Sequence, residues 1–188
     1  MQDQLNLTGQ ILIAMPGIGD SRFEHSVILI CAHGDDGAMG LMINRHAGQV
    51  TLGALCDQLS IDVPRKMAER AVHSGGPVER ERGFVLHSSE YKGSVSTLPI
   101  SDELSMTATL DILEDIAEGR GPARSMMMLG YCGWAPGQLE AELGENGWLI
   151  GDPTQELIFD RENAQKWGMS MTAQGINPLL LSPAAGRA

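Results

Sequence analysis

SVILICAHGDDGAMGLMIN, Ser26 to Asn44, is the stretch whose reading decides the fold. It opens and closes on apolar runs, Ser26–Ala32 and Ala38–Asn44, the first rich in Val and Ile, and both read as strands. Between them His33-Gly34-Asp35-Asp36-Gly37 supplies turn residues. A connection this short joins antiparallel neighbours, so the stretch is a hairpin. Neither run alternates apolar with polar residues, which predicts burial on both faces.

Working outward, Gln10–Met15 is another apolar run, closed by Pro16-Gly17, and reads as a strand ending in a turn. Thr51 to Leu59 reads as a helix, with Thr51 as its cap and Leu52, Leu55 and Leu59 on one face. Residues 61–72 are polar and contain Pro64, a loop or frayed helix. Strands are expected at Gly83–His87, Ser94–Ile100, Ser125–Leu129 and Trp148–Gly151, with a further short apolar piece at Leu157–Phe159. A helix capped at Ser101 or Asp102 is expected to carry the stripe Met106, Leu110, Leu113 and Ala117, with Gly119 in the left-handed position after it. Shorter helices are expected from Gln138 to Leu143 and from Asp160 to Trp167. Neither a repeat nor a linker interrupts the chain. One α+β domain over residues 1–188 is therefore expected, with a loose tail from 178 to 188.

Composition narrows the class of function. The 188 residues are 43% hydrophobic and 20% charged, with 23 glycines, which is a globular composition. A net charge of −11 repels phosphate backbones. The one basic stretch, Arg65, Lys66, Arg70, Arg80 and Arg82, is interleaved with Glu69, Glu79 and Glu81, so direct DNA binding is not expected. Three cysteines without CxxC spacing fit free thiols in a reducing compartment. No signal peptide and no apolar run of about 18 residues is seen, so a cytoplasmic protein with no membrane partner is expected.

Chemistry-bearing motifs are few. Gly17-Ile18-Gly19 follows a strand, but Arg22 occupies the position where a dinucleotide fingerprint needs its third glycine. The histidines His25, His33, His46, His73 and His87 make no close ligand pair in sequence, and a plain turn explains His33 beside Asp35 and Asp36. No metal site and no cofactor are expected. Asp111 and Asp115 read as a solvated helix face, and Ser74 beside His73 does not make a nucleophile and base. Cys132, between Gly130 and Gly133 near the start of a helix, is a candidate reactive thiol. Trp134, Gln138, Glu140 and Glu142 form a denser constellation. On a helix Gln138 and Glu142 share a face while Glu140 is rotated away, so the two carboxylates do not pair as acid and base.

Taken in order, several blocks resemble a known family. They are Gly9 through Ala14-Met15-Pro16 to Asp20 and Phe23, Gly37–Asn44, and Gly75-Gly76-Pro77-Val78 with Gly83–His87. Gly130-Tyr131-Cys132-Gly133-Trp134-Ala135-Pro136-Gly137 running on to Glu142, then Trp148, is the most distinctive block. The chain resembles the AlgH/YqgE family of bacterial proteins over about residues 9 to 167. The resemblance implies an α+β fold whose split, strongly bent, mostly antiparallel sheet curls into a partial barrel with helices outside. It implies no catalytic set, since the family's activity is uncharacterised and only a transcriptional-regulator label travels with it. Cys132 stands where the family often has a small residue.

The expected function is therefore a non-enzymatic binding or regulatory protein acting through glycine-marked turns on a small molecule or a protein partner. Its expected ligand-binding residues are Gly75, Gly76, Pro77, Gly133, Trp134, Gln138 and Glu140. The alternative is a small-molecule enzyme that holds an anion on turn amides, with Cys132 or His87 as the reactive group.

Overall fold

A computed structural model describes residues 5–93, 96–108 and 110–181. The first elements are strands β1 (Ile11–Ala14), β2 (Val27–Gly34), β3 (Gly37–Met42) and β4 (His46–Thr51), then helices α1 (Leu52–Gln58) and α2 (Arg65–Ala68). Strands β5 (Ala71–Ser74), β6 (Val78–Ser88), β7 (Thr97–Pro99) and β8 (Leu104–Thr107) follow, with helix α3 (Asp111–Ala117) and strand β9 (Ser125–Trp134). Helix α4 (Gln138–Gly144), strand β10 (Trp148–Gly151), a π-helical turn at Glu156–Asp160 and helix α5 (Asn163–Ala173) complete the order. The fold is α+β with a split, mostly antiparallel sheet, as expected. The chain divides into two compact units, Met1–Asn44 with Cys132–Ala188, and Arg45–Tyr131.

In the first unit the strand order is β10-β1-β2-β3 followed by the last residues of β9, antiparallel throughout. The hairpin pairs Ile28 with Met42 and Gly34 with Gly37, with a register shift between Ile30 and Ala32. All four residues of β1 and the first five of β2 are buried, which is why these runs show no alternation. One face packs Leu12, Ala14, Ile28 and Ile30 with Cys132, Trp134, Leu139 and Trp148. Burial of each such aliphatic side chain contributes roughly 1.5–3 kcal/mol. Helix α5 packs on β1 and β2, and its Trp167 indole donates to the Ala14 carbonyl at 2.8 Å.

In the second unit β7, β8, β6 and β9 are antiparallel neighbours, β5 runs parallel to β9, and β4 pairs with β5. Helices α1 and α3 supply Leu52, Cys56, Ile112, Leu113 and Ile116 to a cluster that includes Val85 and Tyr91. Thr51 caps α1 as its sequence predicts, its hydroxyl accepting from the Ala54 N–H at 3.2 Å.

Two expected helices are corrected, and one strand appears that the sequence does not predict. The helix expected to carry Met106 through Ala117 is a strand followed by a helix. Strand β8, Leu104-Ser105-Met106-Thr107, lies between β6 and β7 and is buried at all four positions; its sequence alternates apolar with small polar residues, but over four positions only. Helix α3 begins only after Leu110, with Asp111 and Glu114 in its first turn. Strand β4, HAGQVT, is polar, mostly exposed and interrupted by Gly48 at φ +55°, so nothing in its pattern announces a strand. The last helix is capped at Glu162 rather than Asp160 and runs to Ala173. At the C-terminus Pro178–Leu180 forms a 3-10 turn, with Asn177 accepting from the Leu179 N–H. Residues 182–188 of the expected tail lie outside the described residues. Among the described residues no helix is long and apolar enough to cross a membrane.

Candidate functional site

The segment from Cys132 to Glu142 is strand first and helix second. Cys132, Gly133 and Trp134 are the end of β9, opposite Gly40, Met39 and Ala38 of β3. A turn through Gly137, at φ +75°, then leads into α4. Cys132 therefore sits inside a strand, 1% exposed, and not at the helix start that its sequence context suggests. In the same unit burial and the neighbouring Cys132 push the Cys31 thiol up to about 12.

Glu142 organises the segment. Its Oε2 accepts the Trp134 indole N–H at 3.0 Å and the Trp148 indole N–H at 2.9 Å. Its Oε1 accepts from the Gln138 amide at 3.0 Å, and Gln138 Oε1 accepts from the Ala135 backbone N–H at 3.0 Å. The two indoles meet edge to face, with centroids 6.4 Å apart. One half-buried carboxylate thus satisfies two buried indole donors and locks the start of α4 to the end of β9.

Glu140 faces elsewhere, as helical spacing predicts, and its partner is His33 of β2, 107 positions away in sequence. The contact is 2.8 Å from Nε2 to Oε1. His33 Nδ1 accepts from the Leu7 backbone N–H at 3.1 Å, so Nε2 carries the ring proton and donates it to Glu140. Hydrogen bonds from its own backbone N–H, and then from His33, hold the Glu140 carboxyl below its ordinary range. The His33 side chain is only 1% exposed and Glu140 is 43% exposed, so a buried ring anchors a carboxylate that faces water.

Beside this pair an open groove of about 410 Å³ runs along the hairpin turn. Ala38, Met39 and Trp134 give it an apolar floor, while His33, Asp35 and Asp36 bring polar groups. A second cavity, about 120 Å³, lies between the π-helical turn and α5, lined by Leu157, Met169, Ser170 and Gln174 among others. Near that turn Lys166 is 1% exposed. Its ammonium donates to the carbonyls of Ile43 at 2.7 Å and Ile158 at 2.8 Å. Burial pulls its pKa down to about 8, against the pull of Glu162. No sequence signal marks this residue, because it lies in a helix that looks polar.

Of the other expected binding residues, Gly75, Gly76 and Pro77 belong to the second unit. Gly75 and Gly76 are buried. The Gly75 N–H donates to Leu129 at 2.8 Å, and the Gly76 carbonyl packs against Gly130, where a Cβ would approach it to 2.5 Å. These glycines are therefore occupied by close backbone packing. Gly133 is exposed, and Trp134, Gln138 and Glu140 are brought together in the first unit as described above. His87 is fully buried in the second unit. Its Nδ1–H donates to the Ser88 carbonyl at 2.9 Å and Nε2 accepts from the Thr107 hydroxyl at 2.8 Å. Thr97 in turn donates to Thr107 at 2.8 Å, and burial lowers the histidine's pKa. Among the described residues no group of three or more His, Cys, Asp or Glu side chains is arranged to hold a metal ion.

Comparison with known proteins places this geometry. A family model described as AlgH-like matches residues 11–179. The UPF0301 protein SPO0296 of Ruegeria pomeroyi is 54% identical over 185 residues, 98% of this chain and 100% of its own. A UPF0301 protein of Paracoccus denitrificans is 50% identical over 190 residues, covering 100% of both. Among solved structures, the AlgH protein of Pseudomonas aeruginosa superposes with a TM-score of 0.80 at 38% identity, covering 100% of both chains. Protein DIP2367 of Corynebacterium diphtheriae, at 21% identity and TM-score 0.75 over 97% of this chain and 95% of its own, shares the fold. The chain belongs to the AlgH-like family.

Proposed function

We propose that the protein acts by binding, not by catalysis, and that the groove along the β2–β3 turn receives a cationic segment of a protein partner. The observation that carries the reading is the His33–Glu140 pair, a carboxylate held ionised and facing water by a buried ring. Asp35 and Asp36 add negative charge along the same groove, and Ala38, Met39 and Trp134 offer apolar contact for the stems of Lys or Arg side chains. The rest of the segment is committed to structure, since Glu142 and Gln138 spend their polar atoms on the two indoles and a backbone N–H. Neither Cys132, buried in an apolar cluster, nor His87, with both ring nitrogens engaged, offers a nucleophile beside a general base.

A regulatory role would then run through a partner rather than through DNA. In a gel-shift series at low salt, duplex DNA is expected to stay unbound. Tight, salt-sensitive binding would defeat the charge argument. For the groove itself the probe is an oligo-arginine peptide, titrated into isotope-labelled protein and followed by NMR. Shifts are expected at residues 33–39 and at Glu140, weakened by Glu140→Gln and by added salt. No shifts at the groove, or identical shifts in the Glu140→Gln variant, would sink the reading.

A further inference from the structure

We propose that His46 and His73, in the second unit, form a binding site for one divalent transition-metal ion of the zinc class. The two residues are direct partners across antiparallel strands β4 and β5. The Ser74 N–H donates to the Arg45 carbonyl at 2.9 Å, which makes 46/73 a non-hydrogen-bonded pair, the narrow kind in which side chains approach most closely. Their imidazole centroids lie 5.2 Å apart with the ring planes at 37°.

That separation is compatible with a shared metal. With zinc about 2.0–2.1 Å from a ligating nitrogen, each ring centroid sits about 3.2 Å from the ion, and two such rings at a tetrahedral angle are about 5 Å apart. Borderline nitrogen ligands suit zinc, nickel or copper and disfavour calcium or magnesium. The neighbours two positions either side of His73 are Ala71, in β5, and Gly75, just past its end, and both are too small to crowd the ion. His73's partner on its other side is Met128 of β9, an apolar residue that offers no hard ligand. The pair supplies two protein ligands, one fewer than the three usual in an open zinc site, so water or a ligand with its own donor would have to complete the coordination. His46 is exposed, which gives the ion a way in from solvent. The pairing escapes sequence inspection because His46 and His73 are far apart in the chain and strand β4 carries no strand-like pattern.

Calorimetric titration of the full chain with ZnCl2 near pH 7.5, where most unperturbed imidazole is neutral, tests the assignment. One equivalent should bind saturably, and His46→Gln or His73→Gln should each weaken binding at least about tenfold, since losing a ligand must cost more than losing a ligand's support. His25→Asn, which replaces a histidine outside the pair at a left-handed backbone position that Asn tolerates, should bind as the parent does. Each variant's unfolding midpoint, measured with and without zinc, separates lost binding from lost fold. The parent's midpoint should rise with zinc, and at the same zinc concentration those of the two glutamine variants should rise less. Absence of a saturable site in the parent, or retention of full affinity in both glutamine variants, would overturn the proposal.

Discussion

Removing the Glu142 carboxylate tests whether it is the joint between β9, α4 and β10. In Glu142→Ala two indole N–H groups lose their acceptor, and both indoles are buried, Trp134 at 7% and Trp148 at 4% exposure. A buried donor left unsatisfied costs about 1–3 kcal/mol. The carboxylate itself is only half-buried, so water can reach the vacated space, and the total should sit at the lower end, about 2–3 kcal/mol. For a chain of this length that corresponds to a fall of roughly 5–10 °C in Tm. Glu142→Gln keeps one oxygen for the indoles but turns an NH2 toward the Gln138 amide, which is itself a donor. It should lose about one hydrogen bond, near 1 kcal/mol. Urea unfolding followed by tryptophan fluorescence reads both variants. If Glu142→Ala unfolds within about 0.5 kcal/mol of the parent, as ordinary surface substitutions do, the carboxylate is not a structural joint.

Three further predictions follow from other parts of the fold. Gly130→Ala places a Cβ at φ +76° and 2.5 Å from the Gly76 carbonyl, so it should cost at least about 2 kcal/mol by denaturant unfolding; a neutral outcome would contradict the backbone geometry. Lys166 has a folded pKa of about 8 against an ordinary 10.5, so the unfolded chain holds more protons in that window. Its contribution to stability should be full above about pH 10.5 and fall away as pH drops toward 8; in Lys166→Met the rise between those values should shrink, and an unchanged rise would refute the assignment. Cys31, Cys56 and Cys132 are all buried, and burial pushes up the pKa values of the first two. All three should react with a thiol reagent only as fast as the protein opens, whereas rapid modification of Cys132 alone near neutral pH would revive a catalytic thiol.

The parts of the fold that were legible in the sequence are those whose pattern is local. The hairpin of β2 and β3 follows from turn residues between two apolar runs, and α1 from Thr51 with leucines at helical spacing. Strand β8 is hidden because its alternation of Leu104, Ser105, Met106 and Thr107 lasts only four residues, and Met106 also falls at helical spacing with Leu110 and Leu113. The candidate site was half legible. Helical spacing separated Glu140 from Glu142, and the density of Trp, Gln and Glu marked the segment. His33 and Glu140 meet across 107 residues, and no single-sequence pattern reports that pairing. Lys166 was invisible for a related reason, since what makes it unusual is the pair of carbonyls around its ammonium. The seven glycine-turn candidates separate on the same ground. Gly75 and Gly76 serve backbone packing, while Trp134, Gln138 and Glu140 are placed by side-chain bonds.

The central claim is that the hairpin groove binds a cationic partner segment through the carboxylate that His33 holds in place. The most direct test is the NMR titration with an oligo-arginine peptide, run on the parent and on Glu140→Gln at low and high salt. The account predicts saturable shifts confined to residues 33–39, Trp134 and Glu140, reduced by the substitution and by salt alike. Shifts spread evenly over the acidic surface, equal in both proteins, would contradict it.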